Sequence, residues 1–214
     1  MESRLRSRAL FAELFFAFAF LLIPPILSPP APFAFPDLQT VFVCAALAAW
    51  FAFERRFTDR QRAERLSFRA AALCSAASLL ALFACAAGIS LACQVAGIGA
   101  RPPAEAAVRA AFAEQTGGAF LHDAAGFAVL AAYEEALYRV FLPARLACFR
   151  APTPALLSAA LFALAHRSGG LSATLNALAA GGVLHWCYAK TRSLPAVCVP
   201  HGLYNLLAGV LASL

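Results

Sequence analysis

Charge is scarce in this chain. Asp, Glu, Lys and Arg make up 13% of the residues, while 62% are apolar and the mean hydropathy is +0.74. A soluble domain carries about 25% charged residues. So few polar groups cannot cover so apolar a core, which excludes an ordinary soluble domain and points to lipid as the solvent. Lysine is nearly absent: Lys190 is the one exception among seventeen basic residues, the rest being arginine. That bias points to a GC-rich genome and so to a bacterial source. Cysteine pairs are lacking too. Cys44, Cys74, Cys85, Cys93, Cys148, Cys187 and Cys198 are odd in number and form no C-x-x-C, so a disulfide framework or a cysteine zinc site lacks its spacing. They read as small apolar packing residues. There is no H-E-x-x-H, the pattern that puts two zinc ligands on one helix. No internal repeat or low-complexity linker divides the 214 residues, whose length suits one domain.

What the chain has in abundance is apolar runs of membrane-spanning length. Arg4, Arg6 and Arg8 precede a run over 9–28 that resembles a signal peptide but has no small-residue cleavage site, so it reads as a retained first helix. A proline-rich loop, 29–37, leads to a second span at 38–53, followed by the polar segment 54–69. A third span covers 70–100, long for one crossing that needs about 20 residues, so it tilts or bends at Gly88. Residues 101–120 read as a short interfacial helix. The fourth span, 121–143, meets Pro143, which kinks or ends it. Spans at 153–166, 171–189 and 194–213 complete the chain. With the N-terminus in the cytoplasm, the inner segments hold thirteen basic residues and the outer segments three, the asymmetry expected of seven crossings. The expected fold is thus all-α, a polytopic bundle of about seven transmembrane helices in a bacterial inner membrane.

Three ionisable groups break the fourth span: Glu134, Glu135 and Arg139. Each charge at mid-bilayer costs roughly 2.5–3.5 kcal/mol, so the three would cost on the order of 8–10 kcal/mol facing lipid. They must face the interior, pair, or lie near the interface. Glu135 and Arg139 are i and i+4 and can bridge on one face. Glu134 is rotated from Glu135 by about 100°, which leaves it free for chemistry. Two other spans offer polar groups as well. Phe162 and His166 are i and i+4 in the fifth, His201 and Asn205 in the seventh. An unpaired polar group in an apolar medium costs a few kcal/mol, so these side chains point into a common interior. A carboxylate, two imidazoles and an amide suffice for water activation with oxyanion stabilisation.

The stretches "EEALYR" (134–139), "FALAH" (162–166) and "HGLYN" (201–205) resemble the EExxxR, FxxxH and HxxxN motifs of the CPBP family. That family includes the type II CAAX prenyl endopeptidases and the bacterial Abi proteins. The resemblance covers about 119–213, read as a catalytic helical core (119–214) integrated with N-terminal helices (1–118). It implies an intramembrane endopeptidase of the glutamic type that works without a bound metal or other cofactor. Glu134 would then activate water with help from His166. His201 and Asn205 would stabilise the oxyanion, and Glu135, Arg139 and Phe162 would organise the site. The implied partners are a membrane-anchored peptide or protein substrate and the bilayer, with no nucleic acid.

Other readings of the same residues stay open at this point. Glu134, His166 and His201 could ligate zinc. Intramembrane carboxylates and histidines also mark proton relays, and a self-immunity scaffold needs no cleavage. On upright helices, Glu134, His201 and His166 lie at depths differing by roughly 6–9 Å. His185, beside Trp186 and Tyr188, reads as part of an interfacial belt. His122 and Asp123 read as the outer cap of the fourth span, and Gly181-Gly182 as a close helix contact.

Overall fold

The computed structural model describes residues 66–98 and 117–213, all of whose regular structure is helical. The spans expected at 9–28 and 38–53, residues 54–65 of the polar segment 54–69 and most of the interfacial stretch 101–120 lie outside the described residues. So do the side chains of His122 and Asp123.

Helix α1 runs Phe68–Val95, with Ser67 Oγ accepting the Ala70 N–H at its start. It passes through Gly88 without a break. It stops where Gly97 takes φ +68°, letting Ile98 N–H reach back to the Cys93 carbonyl. Helix α2, Gly117–Glu135, continues through a π-helical segment, Ala136–Phe141, into α3, Leu142–Arg145. The widening has a local reason. Pro143 has no N–H and its ring crowds the carbonyl four residues back, so the ladder opens before it. The helix therefore does not end at Pro143; the perturbation is taken up in the preceding turn, where Leu142 N–H bonds the Leu137 carbonyl.

Helix α4, Thr153–Ala165, is followed by a 3₁₀ turn at Arg167–Gly169, then α5 (Gly170–Thr191) and α6 (Leu194–Ser213). Thirteen residues rise only about 20 Å, less than the roughly 30 Å hydrocarbon core, so α4 alone is too short for an upright crossing. Two described stretches, Phe68–Val95 and Leu194–Leu211, are long and apolar enough to span a membrane. Helix α1 packs on α5 and α6, α6 on α2, and α5 on α4. The π segment sits among them and supplies Leu137, Tyr138, Val140 and Phe141 to the core with Phe162, Leu184 and Val197.

Large apolar side chains cover the outer surface of the described helices, and several polar groups lie inside. Phe68, Leu80, Leu156, Leu171 and Leu211 face outward, while Glu135, Arg139, Ser158, Thr191 and His201 are buried. Of the two adjacent glycines only Gly181 makes the expected close contact. A Cβ there would lie 3.0 Å from the Ala159 Cβ and 3.2 Å from its Cα, whereas one on Gly182 would meet nothing within 4 Å. Gly181→Ala is therefore expected to destabilise the α4–α5 contact by about 1–3 kcal/mol. Gly182→Ala should be neutral or stabilising by up to about 1 kcal/mol, through helix propensity. Thermal unfolding in detergent separates the two, and equal midpoints would contradict this packing.

Candidate active site

The π segment and the end of α2 place two carboxylates in contrasting surroundings. Glu135 is fully buried. Its Oε2 lies 3.1 Å from Arg139 Nε, the i,i+4 pair, and its Oε1 lies 2.8 Å from His201 Nδ1 on α6. Glu134, 13% exposed at its side chain, faces the other way: its Oε2 is 3.5 Å from His201 Nε2 and its Oε1 is 4.0 Å from His166 Nε2. His201 thus bridges both glutamates, one through each ring nitrogen. The sequence pattern paired Glu135 with Arg139 alone, because only that contact is local on one helix. His201 comes from 66 residues away.

His166 ends α4 and is the exposed member, with 39% of its side chain open. Its Nδ1 lies 2.8 Å from the Phe162 carbonyl one turn back. A hydrogen bond there makes Nδ1 the donor and turns Nε2 toward Glu134. The depth mismatch expected from upright helices is closed by side-chain direction. Ser158 Oγ donates to the Tyr138 carbonyl. With the Glu134–His166 contact, this makes α4 antiparallel to the α2–π helix. Helical side chains incline toward their own N-terminus. Glu134 and His166 lie on the same side of the Ser158–Tyr138 contact, His166 further out, so they lean toward each other.

Phe162 is the hub of this group. The Arg139 guanidinium carbon lies 4.8 Å from its ring centroid, the His166 and His201 rings at 4.5 and 6.0 Å, and Tyr138 meets it edge-on at 5.1 Å. A guanidinium over an aromatic face in a desolvated site gains up to about 2 kcal/mol. Six of the seven sequence-proposed residues therefore converge. Asn205 is half-buried one turn beyond His201, and no hydrogen bond joins it to the others among the described residues. Tyr138 and Ser158 were not singled out from sequence. The signal for Ser158 was a hydroxyl inside an apolar span, which needs an acceptor there.

The remaining polar groups divide. Trp186 is exposed as an interfacial anchor requires, but Tyr188 is packed in the core, so the belt expected around His185 does not form as a unit. The residue at i+2 of an exposed one falls on the opposite helix face. The six described cysteines are free thiols. Among the described residues, no three His, Cys, Asp or Glu side chains gather as a metal ion needs.

These features define a class: an apolar helical bundle with a buried carboxylate–imidazole network that emerges at one exposed histidine. Residues 118–207 match the family model described as type II CAAX prenyl endopeptidase, Rce1-like. The match covers under half of the chain and contains all three motifs. Over that stretch the chain is similar to the CAAX-type proteases, a family that is membrane-embedded and acts on membrane-associated proteins. No curated protein and no solved structure matches the chain.

Proposed function

We propose that the chain is a glutamic intramembrane endopeptidase that cleaves a membrane-anchored peptide or protein tail without a metal. The carrying observation is the asymmetry of the two glutamates. Glu135 is fully buried, hydrogen-bonded through Oε1 to His201 and ion-paired through Oε2 to Arg139, while Glu134 is partly exposed and faces the exposed His166. The 4.0 Å between Glu134 Oε1 and His166 Nε2 suits one water bound by both. Glu134 takes a proton from that water as its oxygen attacks the scissile carbonyl, then returns it to the leaving amine. The oxyanion is met by His201, which donates from Nε2 when the ring carries both protons, and by the Asn205 amide. Glu135 fixes the His201 ring through Nδ1 and Arg139 holds Glu135. Phe162 backs both imidazoles.

In this reading residues 119–214 form the catalytic core, integrated with the helices of 1–118. The bundle crosses a bacterial inner membrane seven times with its N-terminus in the cytoplasm. The test is cleavage of a quenched, lipid-anchored tail peptide by the purified chain in detergent, with and without EDTA. Chelation is expected to leave the rate unchanged. A rate abolished by EDTA and restored by zinc would replace this mechanism with a metal-assisted one on Glu134, His166 and His201.

A further inference from the structure

Proline at position 200 stands inside α6, immediately before His201. Lacking an N–H, it cannot bond the carbonyl four residues back, so the Ala196 oxygen loses its helical partner. That oxygen is claimed from outside the helix: Cys187 on α5 donates its thiol to it at 3.6 Å. Beyond the break, α5 takes hold of α6 a second time, where Asn176 Nδ2 donates to the Tyr204 hydroxyl at 2.8 Å. Tyr204 is steadied on its other side by Phe83 of α1, with ring centroids 5.0 Å apart. Asn176 and Cys187 are eleven residues apart, which returns a helix to within about 20° of the same face. One face of α5 therefore grips α6 on both sides of its weakest point, and His201 lies between the two grips.

We propose that Asn176 and Cys187 are positioning residues that splint α6 across Pro200 and so hold His201 against Glu134 and Glu135. A proline break leaves a helix free to bend. A bend at position 200 would swing His201 and Asn205, and the 2.8 and 3.5 Å contacts to the glutamates tolerate little displacement. The splint removes that freedom without touching the reacting atoms. Its functional consequence rests on the protease reading, but its structural consequence does not.

The test uses the full chain in detergent with ¹⁵N-labelled histidine and reads the His201 Nδ1–H resonance, which a 2.8 Å bond to a carboxylate moves downfield. Cys187→Ala and Asn176→Leu are each expected to broaden that resonance or shift it upfield. Cys187→Ser, which keeps a donor, should restore it. Tyr204→Phe should match Asn176→Leu, and the two together should do no more than either alone. In the Pro200→Ala background, where the helix can bond its own carbonyl, Cys187→Ala should have no effect. On the tail peptide, the two disruptive variants are expected to lower kcat about tenfold with KM unchanged. A resonance unmoved by Cys187→Ala and Asn176→Leu in folded protein overturns the splint, whatever the cleavage assay gives. A moved resonance supports it even where the cleavage assay refutes the role given to Glu134.

Discussion

Glu134→Ala is expected to leave a folded protein whose cleavage falls by about the 10²–10⁴-fold that the proposed general base supplies. Two contributions decide the outcome. For stability, Glu134 is one of two carboxylates around His201, and its removal leaves Glu135 paired with both Arg139 and His201. No buried charge is orphaned, so unfolding in detergent should move by no more than about 1 kcal/mol, the centre of the range for ordinary substitutions. For chemistry, the other carboxylate at His201 is Glu135. Glu135 points its oxygens at Arg139 Nε and His201 Nδ1, and its side chain is fully buried. His166→Ala should lose activity in the same way while keeping the fold, since that ring is 39% exposed and anchored by one backbone contact. Steady-state cleavage alongside thermal unfolding is the measurement. Substantial activity in Glu134→Ala, with none in Glu135→Ala, would reverse the roles given to the two carboxylates.

Arg139→Ala is expected to do the opposite, removing the protein from the membrane fraction in folded form before activity can be asked about. The guanidinium is buried, stacked on Phe162 and paired with Glu135. Deleting one partner of a buried ion pair costs about 3–5 kcal/mol, and here Glu135 stays buried with only the His201 Nδ1 contact to offset its charge. The lost stacking on Phe162 adds up to about 2 kcal/mol. Against a typical total stability of 5–15 kcal/mol, that loss empties much of the native state. Arg139→Lys keeps the charge but not the planar face and should fall between. The double variant Arg139→Ala, Glu135→Gln removes the orphaned charge and should recover part of the folded yield without recovering cleavage. Monodisperse yield by size exclusion and the thermal midpoint measure this. Arg139→Ala with wild-type yield would mean that Glu135 finds its counter-charge elsewhere.

How much of this was legible beforehand depended on how far apart the partners lie in sequence. Charge scarcity and apolar runs were enough for a helical bundle with its polar groups turned inward, because a lipid-facing charge is too costly to survive. The Glu135–Arg139 bridge was readable because four residues is about one helical turn. The three motifs marked Glu134, His166, His201 and Asn205 as belonging together; the structure brings the first three into one cluster and leaves Asn205 one turn beyond it. Other features lay beyond such reasoning. Helix periodicity assigns a face, but it does not say that His201 bridges both glutamates, that α4 meets the π segment through Ser158 and Tyr138, or that Gly181 rather than Gly182 touches Ala159.

By itself, then, the sequence pointed to lipid as the solvent, to the helices of the described residues, and to polar residues turned inward. Those follow from local spacing and transfer energy, which each segment carries alone. Only the tertiary structure decided which carboxylate is fully buried against Arg139 and His201 and which faces the exposed His166. That difference comes from contacts between α2 and α6, 66 residues apart. Their geometry is set by how the helices pack, lean and break, not by the spacing of residues within any one of them.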